Sequence, residues 1–343
     1  MTKIKIAING FGRIGRIFLR NILLRPEVEV VAINDLTDTK TLAHLFKYDS
    51  VHRGFKGEVD FDEDHLIINQ NKIRVFKEAG SQQLPWQQLE IDLVIESTGK
   101  FVTPEKAALH LKAGAKQVII SAPSPDKNVP SIVLGVNDAS VDLTAPIISN
   151  ASCTTNNVAA LVKVLDDNWG IRDGYITTVH SMTSDQNLHD APHKDLRRAR
   201  AASGSIIPTS TGAAKAITNI FPHLEGRLGG AGIRVPVLNG SLTDFTCTLK
   251  KPATVEEINA AFLKASQGFL KNVLEYTEDP IVSVDILDNP HSCIFDAQLT
   301  SVVGSLVKVV GWYDNEMGYS SRLADLVQKI AMLKEASTQT IFK

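Results

Sequence analysis

The spacing of apolar residues in the first half of the chain alternates between the period of a strand and that of a helix. Apolar runs predict strands over Ile4 to Ile8, Val28 to Ile33, Asp92 to Glu96, Gln117 to Ser121 and Ile132 to Leu134. Helical spacing occurs over Arg13 to Leu24, Thr39 to Lys47 and Pro104 to Lys112. Because strands that alternate with helices are typical of crossover units, this half predicts a mostly parallel sheet.

The second half of the chain has a different pattern. A helix is predicted from about Thr154 to Asp167, and a closing helix over Ser320 to Lys334. Longer strands are predicted over Tyr175 to His180, Arg234 to Val237, Leu242 to Leu249 and Ser305 to Gly311. They favour a second domain with an antiparallel or mixed sheet. The segment from Ser181 to Pro208 has no clear period, which is typical of a functional or interface loop, and residues 337–343 are expected to form a loose tail.

Composition narrows the class of protein. The 343 residues suggest about two domains, and 36 basic against 38 acidic residues give a net charge of −2. This balance argues against a nucleic-acid-binding or membrane-surface protein. The sequence lacks an apolar run of about 18 residues, and its first residues do not resemble a signal peptide. We therefore expect a cytoplasmic protein without a membrane partner.

The cysteine content excludes two kinds of site. Cys153, Cys247 and Cys293 are odd in number and far apart, which is neither a disulfide framework nor a zinc-ligand pattern. We expect free thiols and no metal. One of the thiols could be chemically active.

A glycine motif follows the first predicted strand. Gly10, Gly12 and Gly15 form G-x-G-x-x-G at the start of a helix, and Asp35 ends the next strand. This is the dinucleotide-binding arrangement, in which the turn and the helix N-terminus hold a pyrophosphate and the carboxylate binds ribose hydroxyls. A carboxylate at Asp35 repels a 2′-phosphate and so favours NAD over NADP. The alternative is a glycine turn in an ordinary crossover unit.

Cys153 lies at the start of the predicted helix from Thr154, next to the capping residue Ser152. The helix dipole there is expected to lower the pKa of the thiol. His180 ends a predicted strand, so the two side chains could form a nucleophile and its base. The alternatives are a buried, unreactive Cys153 and a structural His180.

The chain resembles the phosphorylating glyceraldehyde-3-phosphate dehydrogenases over nearly its whole length. The segments that carry the resemblance are 8–16, 47–50, 96–99, 151–156, 190–200, 208–214, 234–236 and 312–320. The resemblance implies a Rossmann-type doubly wound NAD-binding domain over residues 1–151, completed by a C-terminal helix at 319–335. It also implies an α+β catalytic domain with a mostly antiparallel sheet over 152–318.

The resemblance assigns roles to the candidate site residues. Cys153 would attack the aldehyde of D-glyceraldehyde 3-phosphate to give a thiohemiacetal and then a thioester, with His180 as the base. Inorganic phosphate would release 1,3-bisphosphoglycerate. Thr183, Asp185 and Arg234 match the side that binds the substrate phosphate; Ser152, Thr154, Thr211 and Gly212, with Arg198 nearby, match the side that binds inorganic phosphate. Thr211 and Gly212 could also form a helix cap, a role that can coexist with phosphate binding. The basic run from Lys194 to Arg200 could be a solvated loop or a subunit contact.

The resemblance also implies which residues bind the cofactor. The residues that match NAD-binding positions are Gly10, Gly12, Arg13, Ile14, Gly15, Asp35, Ser97, Thr98, Ser121, Asn315 and Tyr319. Asn315 would hold the nicotinamide carboxamide, and Pro192 is typical of members that use NAD. The resemblance also implies a homotetramer.

Two departures and two rival functions remain open. Asn157 stands where a second cysteine is usual, and 79–81 lacks an arginine expected near the adenine pocket, so the affinity for NAD could differ. One rival is the hydrolytic relative erythrose-4-phosphate dehydrogenase, which tends to lose the threonine retained here as Thr183. The other is a non-catalytic scaffold that binds NAD or nucleic acid.

Overall fold

The computed structural model describes the backbone of residues 3–341 and the side chains of residues 3–336. The chain forms two compact units. The first unit contains residues 3–132 and 140–151 and the chain from Ser320 onward, and the second contains Val133–Ala139 and Ser152–Tyr319.

The first unit is a twisted sheet flanked by helices. Its elements before the closing helix are β1 (Ile4–Asn9), α1 (Arg13–Ile22), β2 (Val28–Asn34), α2 (Thr39–Lys47), β3 (Val59–Phe61), β4 (His65–Ile68), β5 (Asn71–Phe76), β6 (Leu93–Glu96), α3 (Pro104–Lys112), β7 (Gln117–Ile120) and β8 (Ile147–Ser149). The strand order is β3-β4-β5-β2-β1-β6-β7-β8. From β5 to β8 all neighbours are parallel, whereas β3 and β4 pair antiparallel at one edge. The predicted parallel, doubly wound sheet is confirmed.

One predicted strand of the first unit is wrong. The segment Ile132 to Leu134 makes only an isolated bridge beside it, between Ser131 and Ser149. Turn chemistry ends the extended conformation, because the Asn137 and Asp138 side chains accept hydrogen bonds from the N–H groups of Val133 and Gly135. The last parallel strand is β8 instead.

The second unit is built around a mixed sheet. Its elements before the closing helix are α4 (Cys153–Trp169), β9 (Ile171–Ser181), β10 (Ile207–Thr209), α5 (Ala213–Ile220), β11 (Leu228–Val235), β12 (Ser241–Leu249), α6 (Val255–Gln267), β13 (Leu274–Thr277), β14 (Cys293–Asp296), β15 (Ser301–Val303) and β16 (Leu306–Tyr313). The strand order is β10-β11-β9-β12-β16-β14-β13, with β15 on β16. Among the described strands of this second sheet, only β11 with β9 and β13 with β14 pair in parallel, so the mostly antiparallel sheet is confirmed.

The closing helix α7 (Met317–Ile341) is longer than predicted at both ends. It begins early because the Asp314 carboxylate accepts hydrogen bonds from the N–H groups of Glu316 and Met317. From Ser320 it belongs to the first unit, where Leu323 and Leu326 are fully buried. The expected loose tail is helical as far as Ile341, and residues 342 and 343 lie outside the described chain. Among the described helices, none combines the length and the hydropathy needed to cross a membrane.

Candidate active site

The glycine turn lies at the carboxyl end of β1, where the strand order of the first sheet reverses between β1 and β6. Gly10 has a φ of +93°, and a Cβ built on it would lie 2.7 Å from the Thr98 nitrogen. A Cβ built on Gly15 would collide with the Gly10 carbonyl oxygen. Glycine is therefore required at both positions, and the turn brings α1 close to the switch point at which doubly wound sheets bind their ligands.

The N-terminus of α1 suits an anion. Asp38, Thr103 and Thr254 place a side-chain oxygen on the first turn of α2, α3 and α6, whereas α1 begins at Gly12 without a side-chain cap. The dipole and the N–H groups of such a helix end favour a phosphate group. The Arg13 side chain instead forms an ion pair with Asp49, whose nearest oxygen lies 2.5 Å away.

Asp35 lies immediately after β2, beside the glycine turn. Its two carboxylate oxygens accept hydrogen bonds from the N–H groups of Phe11, at 2.8 Å, and Thr37, at 3.0 Å. The side chain is only half-buried, and each carboxylate oxygen has further acceptor capacity. An oriented acceptor beside an uncapped helix start fits the ribose and pyrophosphate of a dinucleotide.

A buried carboxylate that the sequence analysis did not single out lies beneath this edge. One oxygen of Glu96 accepts from Asn9 Nδ2, at 2.5 Å, and from His110 Nε2, at 3.2 Å, while the other accepts from the Thr98 N–H and hydroxyl. Trp86 Nε1 donates to His110 Nδ1 at 3.0 Å, which leaves the imidazole proton on Nε2, facing Glu96. The network joins the ends of β1 and β6 to α3. Its only sequence signal was a glutamate in an otherwise apolar strand.

The predicted cofactor residues Ser97 and Thr98 use their hydroxyl groups within the protein. Ser97 Oγ donates to the Gly10 carbonyl at 2.7 Å, and the Thr98 hydroxyl donates to Glu96. Both hydroxyl groups therefore stabilise the turn through hydrogen bonds within the protein, and neither extends outward from it. Ser121 follows β7, and its N–H donates to the Glu96 carbonyl.

We expect Glu96→Gln to lower the free energy of unfolding by about 2–4 kcal/mol. Each oxygen of Glu96 faces two donors, so the amide NH2 of glutamine would meet donors in either orientation. The measurement is urea unfolding of the ligand-free protein. The matched control is Glu90→Gln, because Glu90 is exposed and pairs only at the surface with Lys5; it should cost about 1 kcal/mol or less. Equal losses in the two variants would contradict the buried-anion interpretation.

The second unit brings Cys153 and His180 together. Ser152 caps α4 by accepting the Thr155 N–H at 3.0 Å, which places Cys153 in the first helical turn. His180 lies near the end of β9, and its Nε2 is 3.5 Å from Cys153 Sγ. This distance lies within reach of a hydrogen bond to sulfur, so the thiol proton can pass directly to the imidazole.

The expected low pKa of Cys153 is wrong for the ligand-free protein. Burial raises the pKa of the thiol, and the Arg234 guanidinium and the first-turn hydrogen bonds only partly oppose that effect. Burial and the nearby Arg234 charge lower the pKa of His180 to about 3. The helix dipole is therefore outweighed by desolvation, and the resting pair is a neutral thiol beside a neutral imidazole.

His180 Nδ1 is held by its surroundings. It lies 2.8 Å from the Ser181 carbonyl oxygen and 2.5 Å from Arg234 Nη1, and the same Arg234 nitrogen donates to that carbonyl at 3.0 Å. Because arginine nitrogens only donate, a hydrogen bond from Arg234 Nη1 to Nδ1 would leave the imidazole proton on Nε2, facing the thiol. If the imidazole proton is instead on Nδ1 and donated to the Ser181 carbonyl, the lone pair of Nε2 faces the thiol. That tautomer is the one a general base requires.

The low pKa of His180 predicts an acid-sensitive contribution to stability. The unfolded imidazole, with a pKa of about 6.5, takes up a proton at a higher pH than the folded one. The contribution is therefore complete above pH 6.5 and is lost as the pH falls toward 3, with roughly 2 kcal/mol lost by pH 5. Melting temperatures at pH 7 and pH 5 should fall less for His180→Gln than for the unmodified protein. Equal falls would contradict the predicted depression of the pKa.

Tyr313 is a second group that the sequence analysis did not assign. Its buried hydroxyl bridges the hydroxyls of Thr154 and Thr178, at 2.9 Å each, and its ring meets the His180 ring edge-on at 6.0 Å between centroids. The Thr154 hydroxyl, predicted to bind phosphate, therefore bonds to Tyr313. Tyr313 fixes α4 and β9 on either side of the thiol and imidazole.

Asn315 follows β16 and is 6% exposed. Its Oδ1 accepts hydrogen bonds from Ser181 Oγ, at 2.9 Å, and Ser241 Oγ, at 2.8 Å. Tyr319 is buried in the first turn of α7. Asn157, where a second cysteine was expected, donates to the Trp312 carbonyl and is buried.

The predicted phosphate-binding residues form two groups. Arg234 lies against His180, and within the described chain its Nη2 and Nε have no hydrogen-bond acceptor, so they remain available to an anion. Arg198 instead forms an ion pair with Asp185, at 2.5 Å, and its Nε donates to Thr209. Thr183 starts the turn in which its N–H bonds to the Gln186 side chain.

Thr211 and Gly212 lie at the start of α5. The Thr211 hydroxyl accepts the Ala213 N–H at 3.2 Å, so the helix-cap alternative applies to Thr211, while Gly212 is exposed and provides no side-chain cap. An anion could still approach this helix end.

The other two thiols lack a comparable partner. Cys247 and Cys293 are buried in the sheet, and burial raises the pKa of Cys247 to about 12. Burial raises the pKa of Cys293 in the same direction. Within the described chain, Cys153 is the thiol that lies beside an imidazole.

A doubly wound sheet with this strand order and glycine turn defines a dinucleotide-binding protein of Rossmann type. Residues 4–104 match the family model described as the glyceraldehyde 3-phosphate dehydrogenase NAD binding domain, and residues 152–315 match that of the C-terminal domain. The chain belongs to the glyceraldehyde-3-phosphate dehydrogenase family, so the predicted family and the NAD cofactor are confirmed.

Curated relatives agree with this assignment. Glyceraldehyde-3-phosphate dehydrogenase of Mycobacterium avium is 55% identical over 331 residues, which cover 94% of this chain and 97% of the relative. The enzyme of Mycobacterium tuberculosis strain H37Rv is 54% identical with the same coverage. Glyceraldehyde-3-phosphate dehydrogenase 2 of Streptomyces avermitilis is 51% identical over 326 residues, again covering 94% of this chain and 97% of the relative.

Proposed function

We propose that the protein converts D-glyceraldehyde 3-phosphate, inorganic phosphate and NAD to 1,3-bisphosphoglycerate and NADH. The observation that carries the proposal is the 3.5 Å separation of Cys153 Sγ and His180 Nε2 at the start of α4, in a chain whose first unit has the dinucleotide turn. Reversibility of the reaction allows a role in gluconeogenesis as well as in glycolysis.

Cys153 is the nucleophile in this proposal. As its sulfur bonds to the aldehyde carbon, the thiol proton passes to His180 Nε2, and the C=O π electrons move to the oxygen. The Arg234 charge disfavours the imidazolium, so His180 passes the proton on to the developing alkoxide. The product is a neutral thiohemiacetal on Cys153.

His180 then reverses its role. It accepts the hydroxyl proton of the thiohemiacetal while the carbonyl re-forms and the hydride leaves the same carbon. Bound NAD supplies the acceptor for that hydride. A thioester remains on Cys153, and attack by a phosphate oxygen expels the sulfur as the acyl phosphate forms.

The phosphate groups of both substrates need positive charge and hydrogen-bond donors. We propose Arg234 as the central donor because its outer nitrogens are available beside His180. The other proposed phosphate-binding residues are Ser152, Thr154, Thr183, Asp185, Arg198, Thr211 and Gly212. The hydroxyls of Ser152, Thr154 and Thr211 already have protein partners, so these residues would share them or contribute backbone N–H groups.

The proposed NAD contacts in the first unit use the glycine turn and the neighbouring strand ends. They are Gly10, Gly12, Arg13, Ile14, Gly15, Asp35, Ser97, Thr98 and Ser121. In the second unit Asn315 and Tyr319 would hold the nicotinamide end. The inward hydroxyls of Ser97 and Thr98 indicate that these two residues act by shaping the turn.

We further propose that residues 1–151 with the helix at 319–335 form the NAD-binding domain, and that residues 152–318 form the catalytic domain. Cytoplasmic localisation and a homotetramer are proposed from the family resemblance. Exposed apolar side chains in the loop after β9, at Leu188 and Leu196, support the expectation that this loop is a subunit contact.

The decisive test is NADH formation from D-glyceraldehyde 3-phosphate and NAD, with and without inorganic phosphate. Sustained turnover that requires phosphate supports the proposal. Turnover that is indifferent to phosphate would favour the hydrolytic relative, with erythrose 4-phosphate as the comparison substrate. Absence of NADH formation under both conditions would favour a non-catalytic scaffold.

We expect Asp35→Ala to relax the rejection of NADP. The substitution removes the carboxylate that repels a 2′-phosphate, and with it an acceptor for the ribose hydroxyls. The ratio of kcat/KM for NAD to that for NADP should fall by about tenfold or more, since one charged contact contributes roughly 1.5–3 kcal/mol. An unchanged ratio would contradict the assignment of Asp35.

A further inference from the structure

Arg198 is paired with a carboxylate in this structure. Its Nη1 lies 2.5 Å from an oxygen of Asp185. Partial burial raises the pKa of that carboxyl, but the hydrogen bonds and charges of Arg198 and His193 outweigh burial and hold the pKa below its usual range. Asp185 is therefore ionised at neutral pH. A carboxylate only accepts hydrogen bonds, so beside a bound phosphate it would repel the ligand and donate nothing to it.

The two partners of this ion pair are held to different degrees. Arg198 Nε donates to the Thr209 hydroxyl at 3.0 Å, and that hydroxyl donates in turn to Asp195 at 3.0 Å. The side chain of Arg198 is 19% exposed, whereas that of Asp185 is 52% exposed. Asp185 can therefore turn toward solvent while the guanidinium group of Arg198 stays against β10.

The guanidinium group of Arg198 lies near other residues of the proposed phosphate-binding set. Its Nη2 is 3.5 Å from the Ser210 carbonyl oxygen, directly before Thr211 and the start of α5. Burial lowers the pKa of Arg234, the Arg198 charge lowers it further, and the Asp185 charge opposes that effect. The three charges thus act on one another. With Asp185 turned away, the two arginines present two positive charges, which match the double negative charge of a phosphate group.

We propose that Asp185 is a resident counter-ion of Arg198, which inorganic phosphate displaces when it binds. The inference rests on the proposed function, in which Arg198 lies on the side that binds inorganic phosphate. It assigns to Asp185 a negative effect on the affinity for phosphate, exerted through Arg198. In this sense Asp185 is a positioning residue: it neutralises and orients the guanidinium group until a more highly charged anion replaces it.

Asp185→Asn tests the inference, with Asp190→Asn as the matched control. Asp190 lies in the same loop and pairs with Arg200 at 3.0 Å, so each substitution removes one negative charge from an arginine. NADH formation is measured at saturating aldehyde and NAD over a range of phosphate concentrations, at constant ionic strength. Phosphate binding is also measured without turnover, as the rise in melting temperature that phosphate causes.

We expect Asp185→Asn to lower the KM for phosphate by about two- to fivefold, the contribution of one partly exposed ion pair, while kcat changes little. Phosphate should raise the melting temperature of this variant by more than that of the unmodified protein. Asp190→Asn should alter neither quantity. In an Arg198→Gln background, Asp185→Asn should have little effect on the KM, because the group that Asp185 neutralises is then absent.

An unchanged or raised KM for phosphate in Asp185→Asn would overturn the inference, since replacing a direct ligand or a purely structural residue does not tighten binding. An equal fall of the KM in the Arg198→Gln background would overturn it as well, because Asp185 would then act through net charge alone. Failure of the proposed function looks different: the unmodified protein would form no NADH in response to phosphate, while the melting temperatures would still show whether Asp185→Asn binds phosphate more tightly.

Discussion

Cys153→Ser is expected to lower turnover roughly a thousandfold or more while NAD still binds. A serine hydroxyl has a much higher pKa than a thiol, and the neutral imidazole of His180, with its pKa lowered to about 3, is too weak a base to activate it. The dinucleotide turn lies in the first unit and is not altered by the substitution. The measurements are steady-state NADH formation and calorimetric titration with NAD.

A matched control for that variant is Cys247→Ala. Cys247 is a buried thiol in β12, and among the described residues no imidazole bonds to it, so turnover should stay within a few fold of the unmodified protein. The covalent mechanism would be refuted if Cys153→Ser retained normal turnover, or if Cys247→Ala lost activity to the same extent as Cys153→Ser.

His180→Gln is expected to lower kcat by about 10²–10⁴, the usual contribution of a positioned general base. The substitution removes the only titratable group within 3.5 Å of Cys153 Sγ in the described chain. The rate at which iodoacetamide alkylates Cys153 should fall as well, because the sulfur loses its proton acceptor. Affinity for NAD should change little.

The control for this prediction is His223→Gln. His223 is exposed and pairs with Asp166 outside the site, so neither turnover nor alkylation should change. An unaltered alkylation rate in His180→Gln, together with a large loss of turnover, would show that His180 acts only after the adduct has formed.

The fold was predictable where a local signal was strong. Helices α1, α2 and α3 were placed within a few residues, because a glycine turn at α1 and side-chain caps at α2 and α3 accompany the helical apolar period. The segment Ile132 to Leu134 was wrongly predicted as a strand. An apolar run cannot reveal that the Asn137 and Asp138 side chains accept hydrogen bonds from backbone N–H groups in and next to the segment. Helix α6 was missed, although Thr254 and Glu257 form a capping box that a search for that motif would have found.

The residues of the candidate site could be predicted one by one, but their arrangement in space could not. Cys153 and His180 are 27 positions apart, and only the pairing of α4 with the end of β9 brings them to hydrogen-bond distance. The direction of the Cys153 pKa could not be predicted, because it depends on how far burial outweighs the helix dipole and Arg234.

The roles of Glu96 and Tyr313 depend on hydrogen bonds between elements that are distant in the sequence. A buried glutamate next to a buried histidine has no local signature, since residues 96 and 110 lie on different elements. Likewise, Tyr313 bonds to residues that precede it by 159 and 135 positions. Sequence patterns report periodicity and local turns, whereas these contacts exist only after the sheets have formed.

The most direct test of the central claim is mass spectrometry of the protein after reaction without phosphate. The unmodified protein is mixed with D-glyceraldehyde 3-phosphate and NAD, quenched in acid and digested. The account predicts one 3-phosphoglyceroyl group on the peptide that contains Cys153, removed when inorganic phosphate is added before the quench. An acyl group on Cys247 or Cys293, or NADH formation in a stoichiometric burst with no acyl group on Cys153, would contradict it.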